Sequence, residues 1–195
     1  MNELCHVALQ VQHECERRGW SFCFIGGLAV QHWGEPRFTR DVDLTLLTGF
    51  GGEEAYIDPL LGVFEPRIEL CREFALQNRV LLLKSAEGIG IDVALGALPF
   101  EEEAATRSRL IEVEPDAVLR LCSPEDLIVM KAFADRLQDQ LDVQRILVRQ
   151  GVENLDWQYI TRHLAPLCQL KDAPEIMARL DALRSSLLGS EGWRG

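Results

Sequence analysis

Apolar residues recur at helical spacing from the start of the chain. Leu4, Val7, Ala8, Val11 and Cys15 share one stripe, which predicts a helix over Asn2 to Arg18 with Gly19 as its stop. The run "WSFCFI" (20–25) is continuous, aromatic and closed by Gly26-Gly27, so it predicts a buried strand. "LAVQHW" predicts a short helix ending at Gly34, "EPRFTR" a loop, and "DVDLTLL" (41–47) a strand whose first half alternates strongly. A loop-rich stretch, "TGFGGEEAYIDPLLG", is expected to include a helical turn, and residues 66–76 another helix. "NRVLLLKSAEGIGIDVALG" reads as two strands about a turn at Glu87-Gly88. Short strands are further expected near Leu110–Val113 and Val118–Leu121.

The character changes at Ser123. "SPEDLIVMKAFA" places Ser at the cap, Pro at the first helical position and acids in the first turn. Helical patterns continue through Asp139–Gln150, Asn154–His163 and Pro174–Leu187, and "GSEGWRG" reads as a frayed tail. The fold class expected is therefore α/β (α+β). A mixed β-sheet flanked by helices occupies residues 1–122, and a C-terminal helical region occupies residues 123–195.

Composition narrows this only in part. The 195 residues are 47% hydrophobic, which suits one large folded domain or a domain with a small companion. No apolar run approaches the roughly 18 residues of a membrane span, and "MNELCHVALQ" lacks the pattern of a secretory leader. A soluble, cytoplasmic protein without a membrane partner is expected. Cys5, Cys15, Cys23, Cys71, Cys122 and Cys168 are scattered and form no Cys-x-x-Cys pair, so buried free thiols are expected. His13 and Cys15 lack the second pair that a zinc site needs. A net charge of −11 disfavours nonspecific nucleic-acid binding, though not a local basic site for phosphates. The acids Glu101 to Glu103 are expected in a solvated turn.

The candidate chemistry lies in the second strand. Residues i and i+2 of a strand share a face, so Asp41 and Asp43 project together while Val42 and Leu44 face a core. Two adjacent carboxylates repel unless a cation lies between them, and Mg²⁺ (or Mn²⁺) is the hard divalent cation that such oxygens prefer. In "GIGIDVALG", Asp92 is a lone acid on the small-residue face of an apolar strand. If that strand lies beside the first, Asp41, Asp43 and Asp92 converge on a two-metal site. Gly26 and Gly27 open a helix whose free N–H groups suit an anion, and Arg37 and Arg40 stand within reach of phosphate oxygens. Each piece alone has a plainer explanation as a turn, a surface acid or an edge residue. Their joint order favours a site.

"GGLAVQHWGEPRFTRDVDL" resembles the signature of the DNA polymerase β-type nucleotidyltransferase superfamily, and is most similar to its minimal branch that includes AbiE-type toxin nucleotidyltransferases. That branch's Gly-Gly-x-Ala and Arg-x-Thr-x-Asp-h-Asp patterns are matched by Gly26, Gly27, Ala29, Arg37, Thr39, Asp41 and Asp43, and its third carboxylate by Asp92. A later helix beginning "EDLI-x-x-K" is matched by Glu125, Asp126, Leu127, Ile128 and Lys131, followed by Arg136, Asp139 and Asp142. "RLQD" stands where the branch often has Arg-x-Lys-Asp, so a basic contribution is missing there.

The resemblance implies an NTP bound with a divalent metal, nucleotidyl transfer to a hydroxyl-bearing acceptor, and a helical lobe closing over the nucleotide. It implies metal ligation and catalysis by Asp41, Asp43 and Asp92, and nucleotide contacts from Gly26, Gly27, Arg37, Thr39, Arg40 and Lys131. For Lys131 the competing expectation is a solvated helix residue, and for Arg136 and Asp139 it is a mutual ion pair. His32 and the tryptophans Trp20, Trp33 and Trp157 are expected to pack rather than bind. Acceptors of three kinds fit: tRNA or other RNA, a small hydroxylated molecule, or a protein. An antitoxin protein is the further partner implied. A noncatalytic regulatory domain of the same fold and a phosphohydrolase using the same carboxylates are the alternative functions.

Overall fold

The computed structural model describes residues 2–191. The chain forms two compact units. One comprises the residues up to Leu28 together with Phe38–Ser123, and the other Ala29–Arg37 together with the residues from Pro124 onward.

The first unit is built on a seven-stranded sheet. Its strands are β1 (Phe22–Phe24), β2 (Asp41–Leu47), β3 (Glu65–Pro66), β4 (Val80–Lys84), β5 (Gly90–Gly96), β6 (Arg109–Glu114) and β7 (Ala117–Leu121), in the order β3-β4-β5-β2-β1-β7-β6. The β2–β5 and β1–β7 pairs are parallel and the others antiparallel, so the sheet is mixed. Alternation sorts the two faces. Val42, Leu44 and Leu46 of β2 and Ile91, Val93 and Leu95 of β5 are buried in one core. That core also takes Val7, Ala8 and Val11 of α1 (Glu3–Arg17) and Ile57 and Leu60 of α3 (Glu54–Leu61). Each such side chain contributes about 1.5–3 kcal/mol on burial, which pins the strand register and leaves the intervening positions for polar residues.

The start of α1 is capped by Asn2, whose Oδ1 accepts from the Cys5 N–H at 2.8 Å. The expected β4–β5 hairpin forms, with Gly88 at φ +84° in its turn. Two expectations on this half are corrected. The helix expected over 66–76 is displaced: Glu65–Pro66 pair with β4, and α4 spans Cys71–Asn78. Leu70 takes a left-handed conformation at φ 51° just before α4 begins, which a continuous right-handed helix from residue 66 does not allow. The turn expected at Glu101–Glu103 is instead inside α5 (Pro99–Arg107). Pro99 sits at its first position, and the Glu101 carboxylate accepts from the N–H groups of Ala97 and Leu98 at 2.8 and 2.9 Å.

The helix α2 (Gly26–Trp33) begins in the first unit and passes into the second. The second unit continues with α6 (Pro124–Ala134), α7 (Leu137–Gln150), a 3-10 turn at Val152–Asn154, α8 (Trp157–Lys171) and α9 (Glu175–Glu191). Asp156 caps α8 by accepting from the Tyr159 N–H at 2.9 Å. α8 runs beyond the expected end at His163 despite Pro166, because Ile160, Leu164 and Cys168 continue one buried stripe. α9 likewise runs past Leu187 to Glu191, and the rest of the expected frayed tail lies outside the described residues. All six cysteines are free and buried. No helix of the described residues is long and apolar enough to cross a membrane.

Candidate active site

The carboxylates meet through strand register. In the parallel β2–β5 pair, Asp43 stands opposite Asp92 and Asp41 opposite Gly90. The three acids therefore share the face of the sheet turned away from the apolar core, each half-buried. Burial pushes the Asp92 carboxyl above its ordinary value, with Arg67 opposing the shift and Asp41 adding to it.

The glycines stand against the same carboxylates. Gly26 adopts φ +59°, a conformation that favours glycine, and a Cβ there would collide with the Asp43 carboxylate. The Gly27 N–H, at the start of α2, points to Asp43 Oδ2 at 3.3 Å, while a Cβ on Gly27 would collide with Thr39 Oγ1. The Ile25 N–H donates to the Asp43 carbonyl at 2.9 Å, so the Gly-Gly turn is tied directly to the acid strand. Thr39 Oγ1 lies 3.5 Å from the Asp41 carbonyl, and the exposed Arg40 lies over the Phe38 ring at 5.4 Å.

Arg67 is the residue that sequence reasoning missed. Its Nη2 donates to Asp92 Oδ1 at 2.5 Å, and its Nη1 lies 3.5 Å from Asp41 Oδ1. It follows the short edge strand β3, with its N–H bonded to the Leu82 carbonyl at 2.9 Å. No local signal links it to acids some 25 residues away in either direction. Only the β3–β4–β5 pairing brings it there.

The chemistry of this donor set fits a hard divalent cation: three carboxylates on one face, and glycines at two of the flanking positions leaving them room. Among the described residues no three such ligands are already gathered around one point. Arg67 instead holds Asp41 and Asp92.

Arg37 and Lys131 meet other partners. Both belong to the second unit, where Arg37 donates from Nε and Nη2 to the two oxygens of Asp142, each at 3.0 Å. Lys131 is 7% exposed, so it is not a solvated helix residue; its Nζ lies 2.8 Å from Asp139 Oδ1 and 3.1 Å from Asp142 Oδ2. Arg136 pairs with Asp139 at 2.5 Å, and Gln138 donates to Asp142 at 2.9 Å. Burial alone would raise both carboxyls, but these donors outweigh it and hold Asp139 and Asp142 below the usual carboxylate range. His32 packs edge-on against Trp33 at 4.3 Å, and burial lowers its pKa. Trp20 packs on Tyr56, and Trp157 donates its Nε1–H to the Val152 carbonyl at 2.7 Å.

Comparison with known proteins bears on the family and the fold. The model of the family described as "Nucleotidyl transferase AbiEii toxin, Type IV TA system" matches residues 16–156. Among solved structures, an antigenic nucleotidyltransferase-like protein from Paracoccidioides brasiliensis aligns with a TM-score of 0.54 at 16% identity, over 92% of this chain and 93% of that one. The lincomycin-bound lincosamide antibiotic adenylyltransferase LnuA aligns with a TM-score of 0.50 at 12% identity, over 75% of this chain and 96% of that one. At these identities the two structures share the nucleotidyltransferase fold with this chain. No curated protein matches it in sequence. The chain belongs to the AbiEii family of nucleotidyltransferase toxins, and is itself a nucleotidyltransferase.

Proposed function

We propose that the protein transfers a nucleotidyl group from an NTP to a hydroxyl-bearing acceptor, with the aspartate face as its catalytic centre. The observation that carries this reading is the register that sets Asp43 opposite Asp92 one strand over, with Asp41 on the same face. A divalent cation, Mg²⁺ or Mn²⁺, held by Asp41, Asp43 and Asp92 would supply charge neutralisation at the attacking and departing oxygens. Asp92 is assigned as the acceptor for the hydroxyl proton, standing on the same face one strand over from Asp43. The hydroxyl oxygen bonds to the α-phosphorus as the bond to pyrophosphate breaks. Gly26 and Gly27 let phosphates approach the backbone at the start of α2, and Thr39 and Arg40 lie beside Asp41 to orient them. Arg37 and Lys131, to which the resemblance gives nucleotide contacts, have their charges held by Asp139 and Asp142 within the second unit.

The acceptor follows from assay. Purified protein is incubated with Mg²⁺ and each labelled NTP, beside total tRNA and a panel of hydroxylated antibiotics that includes a lincosamide. Transfer of label is expected to fall about a thousandfold in Asp41→Asn and Asp43→Asn, the scale of losing several kcal/mol of charge stabilisation. Undiminished transfer in either variant overturns the assignment. Transfer to RNA agrees with the toxin description of the family and with an antitoxin as the protein's partner, whereas transfer to a small molecule aligns it with the lincosamide antibiotic adenylyltransferase.

A further inference from the structure

We propose that Arg67 is the exchangeable counter-ion of the aspartate face: it neutralises Asp41 and Asp92 until a divalent cation takes its place, and its guanidinium then binds the phosphates of the incoming nucleotide. This rests on the reading of the three aspartates as metal ligands.

Three observations carry it. The first is position. Arg67 spans the β2–β5 boundary, with Nη2 at 2.5 Å from Asp92 Oδ1 and Nη1 at 3.5 Å from Asp41 Oδ1. It therefore touches one acid on each of the two strands that would share a metal.

The second is the room made for it. Gly90 stands opposite Asp41 in the ladder, and a Cβ there would fall 2.6 Å from Arg67 Nη1 and collide with Asp41 Oδ1. Gly90 has no positive φ, so its lack of a side chain is a matter of space and not of backbone conformation. Any other residue would force the guanidinium and the carboxylate apart.

The third is how lightly the contact is held. The Arg67 side chain is 32% exposed, and those of Asp41 and Asp92 are 48% and 32% exposed. Ion pairs in such settings are weak and break readily. The backbone of Arg67 is anchored by its N–H to the Leu82 carbonyl, so release of the guanidinium needs only rotation of the side chain.

Charge balance then dictates the exchange. Two cationic groups repel at close range, so the guanidinium cannot share Asp41 and Asp92 with a divalent cation and must leave. Once released, its planar fork matches phosphate oxygens. Metal alone therefore binds against a competitor, while metal with nucleotide binds with that competitor turned into a ligand. Loading of the two is coupled.

The test follows free Mn²⁺ by electron paramagnetic resonance during titration of wild type, Arg67→Gln, Arg67→Lys and Asp43→Asn, each with its fold checked by circular dichroism. Titrations are run alone and with an ATP analogue that cannot be cleaved at the α-phosphate. In Arg67→Gln, Mn²⁺ alone is expected to bind roughly tenfold tighter than in wild type, with Arg67→Lys between the two. The analogue is expected to tighten Mn²⁺ binding in wild type and to lose that effect in Arg67→Gln. Equal or weaker binding of Mn²⁺ alone in Arg67→Gln, or full retention of the nucleotide effect, overturns the proposal. If Asp43→Asn binds Mn²⁺ as wild type does, the metal reading of the aspartates fails as well. Loss of binding there, together with unchanged affinity in Arg67→Gln, removes the role of Arg67 alone.

Discussion

At Gly26 and Gly27 the space left by a missing side chain is filled by Asp43 and Thr39 respectively. Gly26 carries both a positive φ and the Asp43 carboxylate where its Cβ would stand, so Gly26→Ala meets backbone strain and a collision together. The expected result is a loss of stability of about 1–3 kcal/mol, read in urea unfolding, with activity lost through displacement of Asp43. At Gly27 the collision is with the Thr39 hydroxyl. A side-chain rotation of Thr39 can relieve it, so Gly27→Ala is expected to cost less stability than Gly26→Ala. Asp92 behaves in the opposite sense. Burial and the neighbouring Asp41 disfavour its charge, with Arg67 compensating only in part. Asp92→Asn is therefore expected to abolish transfer while leaving the melting temperature unchanged or raised; a clear fall in melting temperature would contradict this account.

Between elements, the heaviest electrostatic investment is the network joining α6, α7 and the segment that ends at Arg37. Asp139 and Asp142 are 1% and 0% exposed and hold Lys131, Arg136 and Arg37 between them. Removing Asp142 takes from the buried Lys131 one of its two carboxylates and from Arg37 its bidentate acceptor, and breaking such a network costs more than the pair contributes when intact. Asp142→Ala is expected to destabilise the second unit by about 3 kcal/mol, visible as a lowered denaturation midpoint. The same pair predicts an acid limit. Both carboxyls are depressed in the fold, so their contribution is fully present above the unfolded value of about 3.9 and is lost as pH falls through the folded values. Stability is expected to drop in that acid window, and to drop less steeply in Asp139→Asn.

Taken together, the protein combines a strongly acidic charge of −11 with an aspartate face that, on the proposed function, accepts a polyanion. Repulsion by the whole is offset locally by Arg40, Arg67 and the N–H groups that open α2. Transfer is accordingly expected to need divalent metal: EDTA should abolish it, and added Mg²⁺ or Mn²⁺ should restore it. The six buried thiols make a second global prediction. Burial pushes Cys15 up to about 12 and Cys5 up to about 11, with Glu114 adding to the shift of Cys5. A thiol reagent is expected to label the native protein slowly and all six cysteines quickly once urea unfolds it. Rapid labelling of several cysteines under native conditions would contradict this packing.

Much of this was written in local order. Period-2 alternation put Asp41 and Asp43 on one face and Val42 and Leu44 on the other, and helical spacing marked α1 and the helices after Ser123, because side-chain direction follows backbone geometry within a few residues. The Glu87-Gly88 turn and the Gly-Gly before α2 were equally local. Nonlocal pairing decided the rest. Pro66 went to a sheet edge because β4 was there to pair with it, whereas the helix at Glu101 was local, its carboxylate capping Ala97 and Leu98 within four residues. Lys131, polar enough to suggest solvent, is buried because two carboxylates from the next helix and Arg37 from far upstream close on one point. Arg67 had no place in any local pattern. It reaches Asp41 and Asp92 because three strand pairings stack in one register, and a register fixed by core burial over many residues is not a property that a short window of chain contains.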